Sequence, residues 1–552
     1  MADVPTFDTH EVLNQAPPLA DYDVFGSDRA LMEAVEREGA GWARDELHEL
    51  GRRAGSTDAQ ELGRRANENP PVLLTHDRSG NRIDVVRYHP AYHELMTVAV
   101  ASGLHAAAWV DERPNAHVAR AAKVIVWYQV DGGHVCPISM TYSAVPALRH
   151  TPALAAEWEP RLVSSVYDPS NRPAPEKDGA TFGMGMTEKQ GGSDVRANTT
   201  TARPAGDEGV YLLTGHKWFC SAPMSDAFLM LAQAPGGLSC FLVPRFRPDG
   251  SRNAIRIQRL KDKLGDRSNA SSEIELLDTF AELVGEEGRG VRTIIEMVNH
   301  TRLDCVLGSA SIMRQGSARA IWHAHHRVAF GKLLDEQPLM RNVLADLVIE
   351  SEAATVAAMR LARAFCAGAD DEHEQRVKRL LTPVIKYWTC KRAPQHAAEA
   401  LECLGGNGYV EESDLPRLFR QSPLNGLWEG SGNVICLDVL RAVARDPEVL
   451  DAYWAEVDAA AGADPRLDDA LAVLRKDLGD LGETGALELQ ARRLVEQLAV
   501  VYQAALLVQH SPPALADAFC VARLGDAPGR VFGTLPAGVD LQAIIDRGSP
   551  IT

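Results

Sequence analysis

The sequence has no closely paired cysteines, no basic leader and no apolar run long enough to cross a bilayer. Nine cysteines are scattered from Cys136 to Cys520 without a C-x-x-C pair. That excludes a zinc ribbon and a disulfide framework and reads as buried thiols in a reducing compartment. The first twenty residues, MADVPTFDTHEVLNQAPPLA, lack the charged and apolar regions of a secretory signal. The stretch LAVVYQAALLVQ is about half a membrane span and is interrupted by Gln503. A cytoplasmic protein without a membrane partner is expected. Positive charge is also short: the net charge is -18, which argues against a general binder of nucleic acid or acidic lipid. Aromatics make up only 6%, whereas Ala, Leu, Glu and Arg are plentiful and favour helix. The 552 residues, 45% of them hydrophobic and 24% charged, suffice for three or four soluble domains.

What is present is organised in blocks. Residues 1–180 alternate helical segments with short breaks. DRALMEAVEREGAGWARDELHELGRRAG carries acids early, Arg late and Gly after, and AHVARAAKVIVWY is a further helix. The texture changes near Thr181. Short apolar runs punctuated by Pro and Gly read as strands and turns. Ile255 and Ile257 alternate with Arg256 and Gln258, and Ile274 and Leu276 with Glu273 and Glu275, the period of a strand with one buried face. Residues 181–283 are therefore expected to form a β-domain. Helical periodicity returns over 284–442, where Leu303, Val306, Leu307, Ala310 and Met313 share one face. An additional helical domain is expected over 443–552.

Three stretches carry chemistry. MGMTEKQGGSD, Met184 to Asp194, offers hydroxyls and a permissive backbone whose amides can approach a flat polar ring; without a G-K-[ST] ending it is not a Walker loop. On local chemistry alone it could equally be a glycine turn. GHKWFCS, Gly215 to Ser221, places Trp218 where it could stack on a planar cofactor or fill a strand core. GLWEGSGN, Gly426 to Asn433, sets Glu429 between an indole and two glycines, as a helix-terminal acid or as a base. His323 and His326 share a helix face without a partnering acid or cysteine and read as a hydrogen-bonded pair; no metal site is expected.

These stretches resemble the acyl-CoA dehydrogenase family. MTEKQGGSD is similar to its TEP-x-x-GSD signature, HKWFCS to K-x-W-I-T-N, and KDKLGDRSNASSEIEL to its late strand pair. RVAFGKLL is similar to R-x-x-FGK-x-I, LGGNGY to its glycine motif, and LWEGSGN to I-Y-E-G-T-x-x-I. GMGMTEKQGGSDV, GGLSCFLVPRF, VEESDLPRL and WEGSGNVICLDVLR resemble the AidB-like, adaptive-response branch, with its long N-terminal segment and extra C-terminal helices. The resemblance implies an α+β, mainly α fold: N-terminal helices, a β-barrel-like domain, a four-helix bundle and an appended helical domain.

It also implies FAD. Met186, Thr187 and Ser193 would face the pyrimidine side of the flavin, with Met184 and Gly192 also binding the cofactor, and Trp218, Phe219 and Cys220 would face its N5 side. Cys220 stands where the family has threonine. Arg327 and Phe330 would reach the dinucleotide of a neighbouring subunit in a homotetramer. Gly405 and Gly406 would admit the adenosine half. Leu427, Trp428, Gly430, Ser431 and Asn433 would close over the flavin. Glu429 would be the base that removes the α-proton of a short or branched acyl-CoA thioester while the flavin accepts hydride. The family's second location for this glutamate holds Thr301 here. The electron acceptor is not identified by the sequence. The alternative is a DNA-protecting AidB-type flavoprotein with vestigial dehydrogenase activity, for which Arg441, Arg475 and Lys476 would be DNA contacts. Residues 441–552 contain 10 basic against 17 acidic residues, a poor composition for binding phosphates.

Overall fold

A computed structural model describes residues 9–206, 208–484, 487–525 and 529–551. The first layer is helical: Arg29–Arg37, Arg44–Gly55, Thr57–Glu68, Pro90–Ala101, Ala116–Tyr128, Val135–Leu148 and Pro152–Leu162. Local chemistry sets their starts. Asp28 accepts from Leu31 N–H at 3.1 Å and Ser56 from Ala59 N–H at 3.2 Å, each satisfying one free helix donor. Ala116–Tyr128 is buried on all sides, which explains why its apolar pattern has no single stripe. One feature departs from the helical reading. Val72–His76 and Arg82–Arg87 form an antiparallel hairpin around Asp77, whose carboxylate accepts from Ser79 and Asn81 N–H. The short alternating run RIDVVR after an S-G-N turn was the local signal for it.

The β region closes on itself. Ala227–Ala234 pairs with Gly237–Pro244, which pairs with Ser271–Val284; that strand joins Val210–Ser221, and Thr201–Pro204 leads back to Ala227–Ala234. Phe182–Gly185 adds a parallel edge and Ile255–Leu260 an antiparallel one. The expected alternation sets that last pairing: Ile255 opposes Leu276 and Ile257 opposes Ile274, all four buried, while Arg256 and Gln258 face outward.

The bundle is built from Gly290–His326, Pro338–Ala364, Glu372–Cys403 and Gly432–Arg445, packed on one another. The third begins at Glu372, capped by Asp371, and runs through Pro383 and Pro394. Helices Glu448–Asp458, Leu487–His510, Pro513–Arg523 and Leu541–Gly548 pack on the bundle, and Pro465–Thr484 packs on Leu487–His510 and Pro513–Arg523 outside it. Buried ion pairs fasten them: Arg547 to Glu352 at 2.6 Å, and Arg523 to Asp346 at 2.5 Å and Glu350 at 3.0 Å; Arg547 also reaches the half-exposed Glu33 at 2.6 Å. Among the described residues no helix is long and apolar enough to cross a membrane.

Candidate active site

Glu429 lies in the short loop before helix Gly432–Arg445 and adopts φ +58°, the left-handed region that costs an L-residue roughly 1–2 kcal/mol. Two cations hold that conformation. Arg302 Nε donates to the Glu429 carbonyl at 3.0 Å, and Lys386 Nζ donates to the carbonyls of Trp428 at 2.8 Å and Gly430 at 2.6 Å. Arg302 is fixed in turn by Asp438 at 2.7 Å, and Lys386 is only 1% exposed. The loop is thus clamped on both sides of the glutamate by charged donors buried in the bundle.

The carboxylate itself is free to act. Glu429 as a residue is half-buried, yet its Oε2 is shut off from solvent and has no hydrogen-bond partner. Burial raises its pKa above the ordinary carboxylate range, while the Thr301 hydroxyl and the charges of Arg302 and Lys386 pull in the opposite direction. Thr301, at the family's alternative glutamate position, therefore stands beside Glu429 instead of replacing it. Trp428, like Met184, Met186 and Trp109, packs against an apolar cluster that includes Cys136, Met140 and Met297. Its indole N–H donates to Asn425 Oδ1 at 3.0 Å.

The two other sequence motifs meet nearby. Trp218 N–H donates to the Thr187 carbonyl at 2.9 Å, joining the GGSD loop to the strand Val210–Ser221. Beneath that joint Lys217 Nζ pairs with Glu188 at 2.9 Å, both side chains fully buried. Glu188 also accepts from Thr199 and Thr200 N–H at 2.7 and 3.1 Å, which draws its pKa down despite burial. With the loop nailed from below, Gly192 and Ser193 remain exposed. A Cβ on Gly192 would come within 2.4 Å of Thr187 Oγ1, so any larger residue there would have to displace the Thr187 side chain. Phe219 is 54% exposed and Trp218 half-buried, with Lys261 Nζ 3.3 Å from the indole centroid. Cys220 is fully buried in the hydrophobic core, its thiol pushed up to about 12, and does not share the exposure of Phe219.

The remaining expected residues lie on separate surfaces. Phe330 is 98% exposed at the tip of a hairpin, Val328–Ala329 with Lys332–Leu333, that Asn14 grips through Val328 N–H at 2.7 Å. Arg327 is half-buried and donates to the Asn14 carbonyl. Gly405, at φ +58°, and Gly406 have open space where a Cβ would stand. Leu427 is exposed, and Gly430 and Ser431 are half-buried at the start of helix Gly432–Arg445. The Asn433 amide oxygen is already taken by Arg492 of the appended helices at 2.8 Å. Of the residues named for DNA, Arg441 and Lys476 are exposed, while Arg475 pairs with Asp458 at 2.6 Å and lies over the Trp454 ring.

Arg302, Lys386 and Arg492 were not singled out by sequence. A lysine inside the apolar run TPVIKYWTC was a usable signal, because lysine is almost never fully buried unless paired. A planar, anionic dinucleotide fits this donor set. The half-buried Trp218 and exposed Phe219 adjoin a polar glycine loop, and an open left-handed glycine turn and a projecting Phe330 stand on other surfaces.

Comparison with known proteins agrees along the chain. Residues 14–169 match the adaptive response protein AidB N-terminal domain, 183–279 the acyl-CoA dehydrogenase middle domain and 288–444 the acyl-CoA dehydrogenase C-terminal domain. The putative acyl-CoA dehydrogenase AidB of Escherichia coli (strain K12) is 48% identical over 94% of this chain and 95% of its own length. The crystal structure of Caenorhabditis elegans ACDH-11 in complex with C11-CoA has a TM-score of 0.85 at 28% identity, covering 94% of both chains. An acyl-CoA dehydrogenase from Bacillus anthracis complexed with FAD shares the fold, with a TM-score of 0.66 at 16% identity over 89% of this chain and 85% of that one. Clamped glutamate, GGSD loop and barrel-plus-bundle architecture thus converge with the comparisons: the chain belongs to the acyl-CoA dehydrogenase family of FAD-dependent oxidoreductases, in its AidB branch.

Proposed function

We propose that the protein oxidises a short or branched acyl-CoA thioester between Cα and Cβ, with Glu429 as the base. The observation that carries this reading is the unpaired, solvent-free Oε2 of Glu429, held in a left-handed loop by Arg302 and Lys386. A carboxylate with a raised pKa is poised to take a weakly acidic proton near working pH. FAD, when bound, supplies the hydride acceptor for the β-carbon.

The chain's own residues do the rest. Met184, Met186, Thr187, Gly192 and Ser193 would hold the flavin's polar edge, Trp218 and Phe219 its ring, and Cys220 would back that strand from the core. Gly405 and Gly406 would receive the adenosine half, and Arg327 and Phe330 would reach a neighbouring subunit's dinucleotide in a tetramer. Leu427, Trp428, Gly430, Ser431 and Asn433 would cover the site, with Trp428 and the methionines excluding water from Glu429. Arg302 and Lys386 keep the carboxylate aimed and partly offset the cost of ionising it. Thr301 offers a hydroxyl that steadies the ionised form.

The test is anaerobic titration of the purified holoprotein with saturated acyl-CoA thioesters of graded length and branching. The long-wavelength flavin band should bleach stoichiometrically with at least one short or branched thioester, and Glu429→Gln should slow bleaching by about 10²-fold or more. A flavin reducible by dithionite yet untouched by every thioester would overturn the reading.

A further inference from the structure

The strands around Trp218 and Phe219 depart from regular pairing at one level of the barrel. Lys217 opposes Ile274 and Cys220 opposes Ser272, so Trp218 and Phe219 together stand opposite the single residue Glu273. This is a β-bulge, and it turns two consecutive side chains outward between the buried Lys217 and Cys220. Strand Ile255–Leu260, on the other side of Ser271–Val284, slips at the same level: Ile257 opposes Ile274, but Arg259 opposes Glu273. Glu273 is therefore flanked by an irregular strand on each side. Lys261, just beyond the second slip, is fixed by its backbone N–H, which donates to the Ser271 carbonyl at 2.8 Å.

The second slip brings cations to the aromatic pair. Lys261 Nζ lies 3.3 Å from the Trp218 ring centroid and 4.8 Å from that of Phe219, and its side chain is 15% exposed. The Arg259 guanidinium stands 5.7 Å and Lys189 Nζ 5.8 Å from the same indole. Glu273 accepts from Lys261 at 2.5 Å and from Arg259 at 2.7 Å, and Lys189 has no ion pair among the described residues. The neighbouring acids are engaged elsewhere: Glu188 pairs with Lys217, Asp262 with Arg267, and Glu275 opposes Arg256. Three positive charges at one indole thus share one carboxylate. Like charges gathered about one ring repel, and a cation–π contact needs only one of them. The surplus suits a ligand that carries or gains negative charge.

We propose that this cation cluster, led by Lys261, raises the reduction potential of the bound flavin. The proposal rests on Trp218 and Phe219 carrying the flavin ring, as in the proposed function. In that reaction the α-proton goes to Glu429 and a hydride leaves Cβ for the flavin. The hydride brings two electrons and one proton to a neutral ring, which is left with one negative charge. Fixed positive charge at the two aromatics stabilises that product more than the oxidised form. Lys261 thus acts through its field and takes no proton from the substrate.

The test is the midpoint potential of the holoprotein, read anaerobically against a reference dye during slow reduction by xanthine and xanthine oxidase. It requires no thioester. Lys261→Met should shift the equilibrium about tenfold or more toward oxidised flavin, which is about 30 mV for a two-electron couple. Lys261→Arg, which keeps the charge, should stay within about threefold of wild type. Lys189→Met, at an exposed position, should move the potential the same way by a smaller factor. Glu273→Gln, which removes the shared negative charge, should move it the opposite way. Lost packing alone would not reverse the sign between Lys261→Met and Glu273→Gln. Unchanged potentials in Lys261→Met and Lys189→Met, or shifts of one sign in Lys261→Met and Glu273→Gln, would overturn the proposal. Trp218→Leu tests the placement separately and should weaken FAD binding and alter the visible flavin spectrum. If it does neither, the placement falls and the proposal with it. If it does both while the potentials stay put, the proposal alone falls. The role of Glu429 is decided independently by the thioester titration.

Discussion

Lys386→Met is the most informative single change, because it removes the clamp and leaves the base in place. The methionine fills nearly the same volume, so the effect is chemical and not steric. Two bonds from a charged donor disappear, those to the Trp428 and Gly430 carbonyls. Each is worth about 1.5–3 kcal/mol net. The buried ammonium that is no longer present costs several kcal/mol in its own right. Global stability should therefore fall by only about 1–3 kcal/mol, read as a shift in the urea midpoint. The local effect is larger. Glu429 keeps only the Arg302 bond to hold a left-handed backbone that is itself unfavourable by roughly 1–2 kcal/mol. Displacement of the carboxylate by about 1 Å is enough to slow proton transfer roughly 10²-fold. The charge matters too. Lys386 pulls the raised Glu429 pKa down, so its loss moves that pKa further up. A base must be ionised to act, so the acid limb of the rate of flavin reduction should move to higher pH. Stopped-flow reduction with the best thioester, measured across pH, reads both effects. An acid limb at the wild-type pH together with a rate within twofold of wild type would refute the clamp.

Other consequences follow from the same geometry. Glu429→Gly should raise stability by about 1 kcal/mol in urea while abolishing turnover, because glycine carries no penalty at φ +58°; a destabilised variant would contradict the strain. Glu188→Ala should leave the Lys217 ammonium buried without its partner and destabilise the barrel by about 3–5 kcal/mol. The loop it anchors should then lose flavin, seen as a fall in the ratio of visible to ultraviolet absorbance of the purified protein. Asp266 gives a pH signature. Burial raises its pKa from 3.8 to about 7, so between these values the folded state holds a proton that the unfolded state has released. Stability should therefore fall as pH rises through that window, by roughly 4 kcal/mol at most, and Asp266→Asn should flatten the dependence in urea titrations.

Much of this architecture is legible in the sequence because local periodicity and burial agree. Ile255 and Ile257 alternate as a half-buried strand must, and Leu303 to Met313 lie in a helix segment that the fold buries on every side. The GGSD loop and the GLWEGSGN turn are visible because glycine marks backbone that few other residues tolerate. The clamp is less visible. Lys386 and Arg302 act on main-chain carbonyls more than forty residues away, and no pattern of residue types encodes an acceptor that every residue carries. The same holds for Arg492, which reaches Asn433 from the appended helices. Cys220 shows the opposite difficulty. Its motif places it beside Trp218 and Phe219, but strand packing sends its thiol into the core. The hairpin Val72–Arg87 was obscured by its helical neighbours, although its turn chemistry is explicit once Asp77 is seen to cap it.

The central claim is that Glu429 takes the α-proton, and proton exchange tests it without requiring net oxidation. The holoprotein is incubated anaerobically in D2O with its best thioester, and deuterium at Cα is measured by mass spectrometry. The account predicts exchange catalysed by the wild-type protein and slowed about 10²-fold or more in Glu429→Gln, with flavin content unchanged. Exchange at the wild-type rate in Glu429→Gln would contradict it and assign the proton to another group.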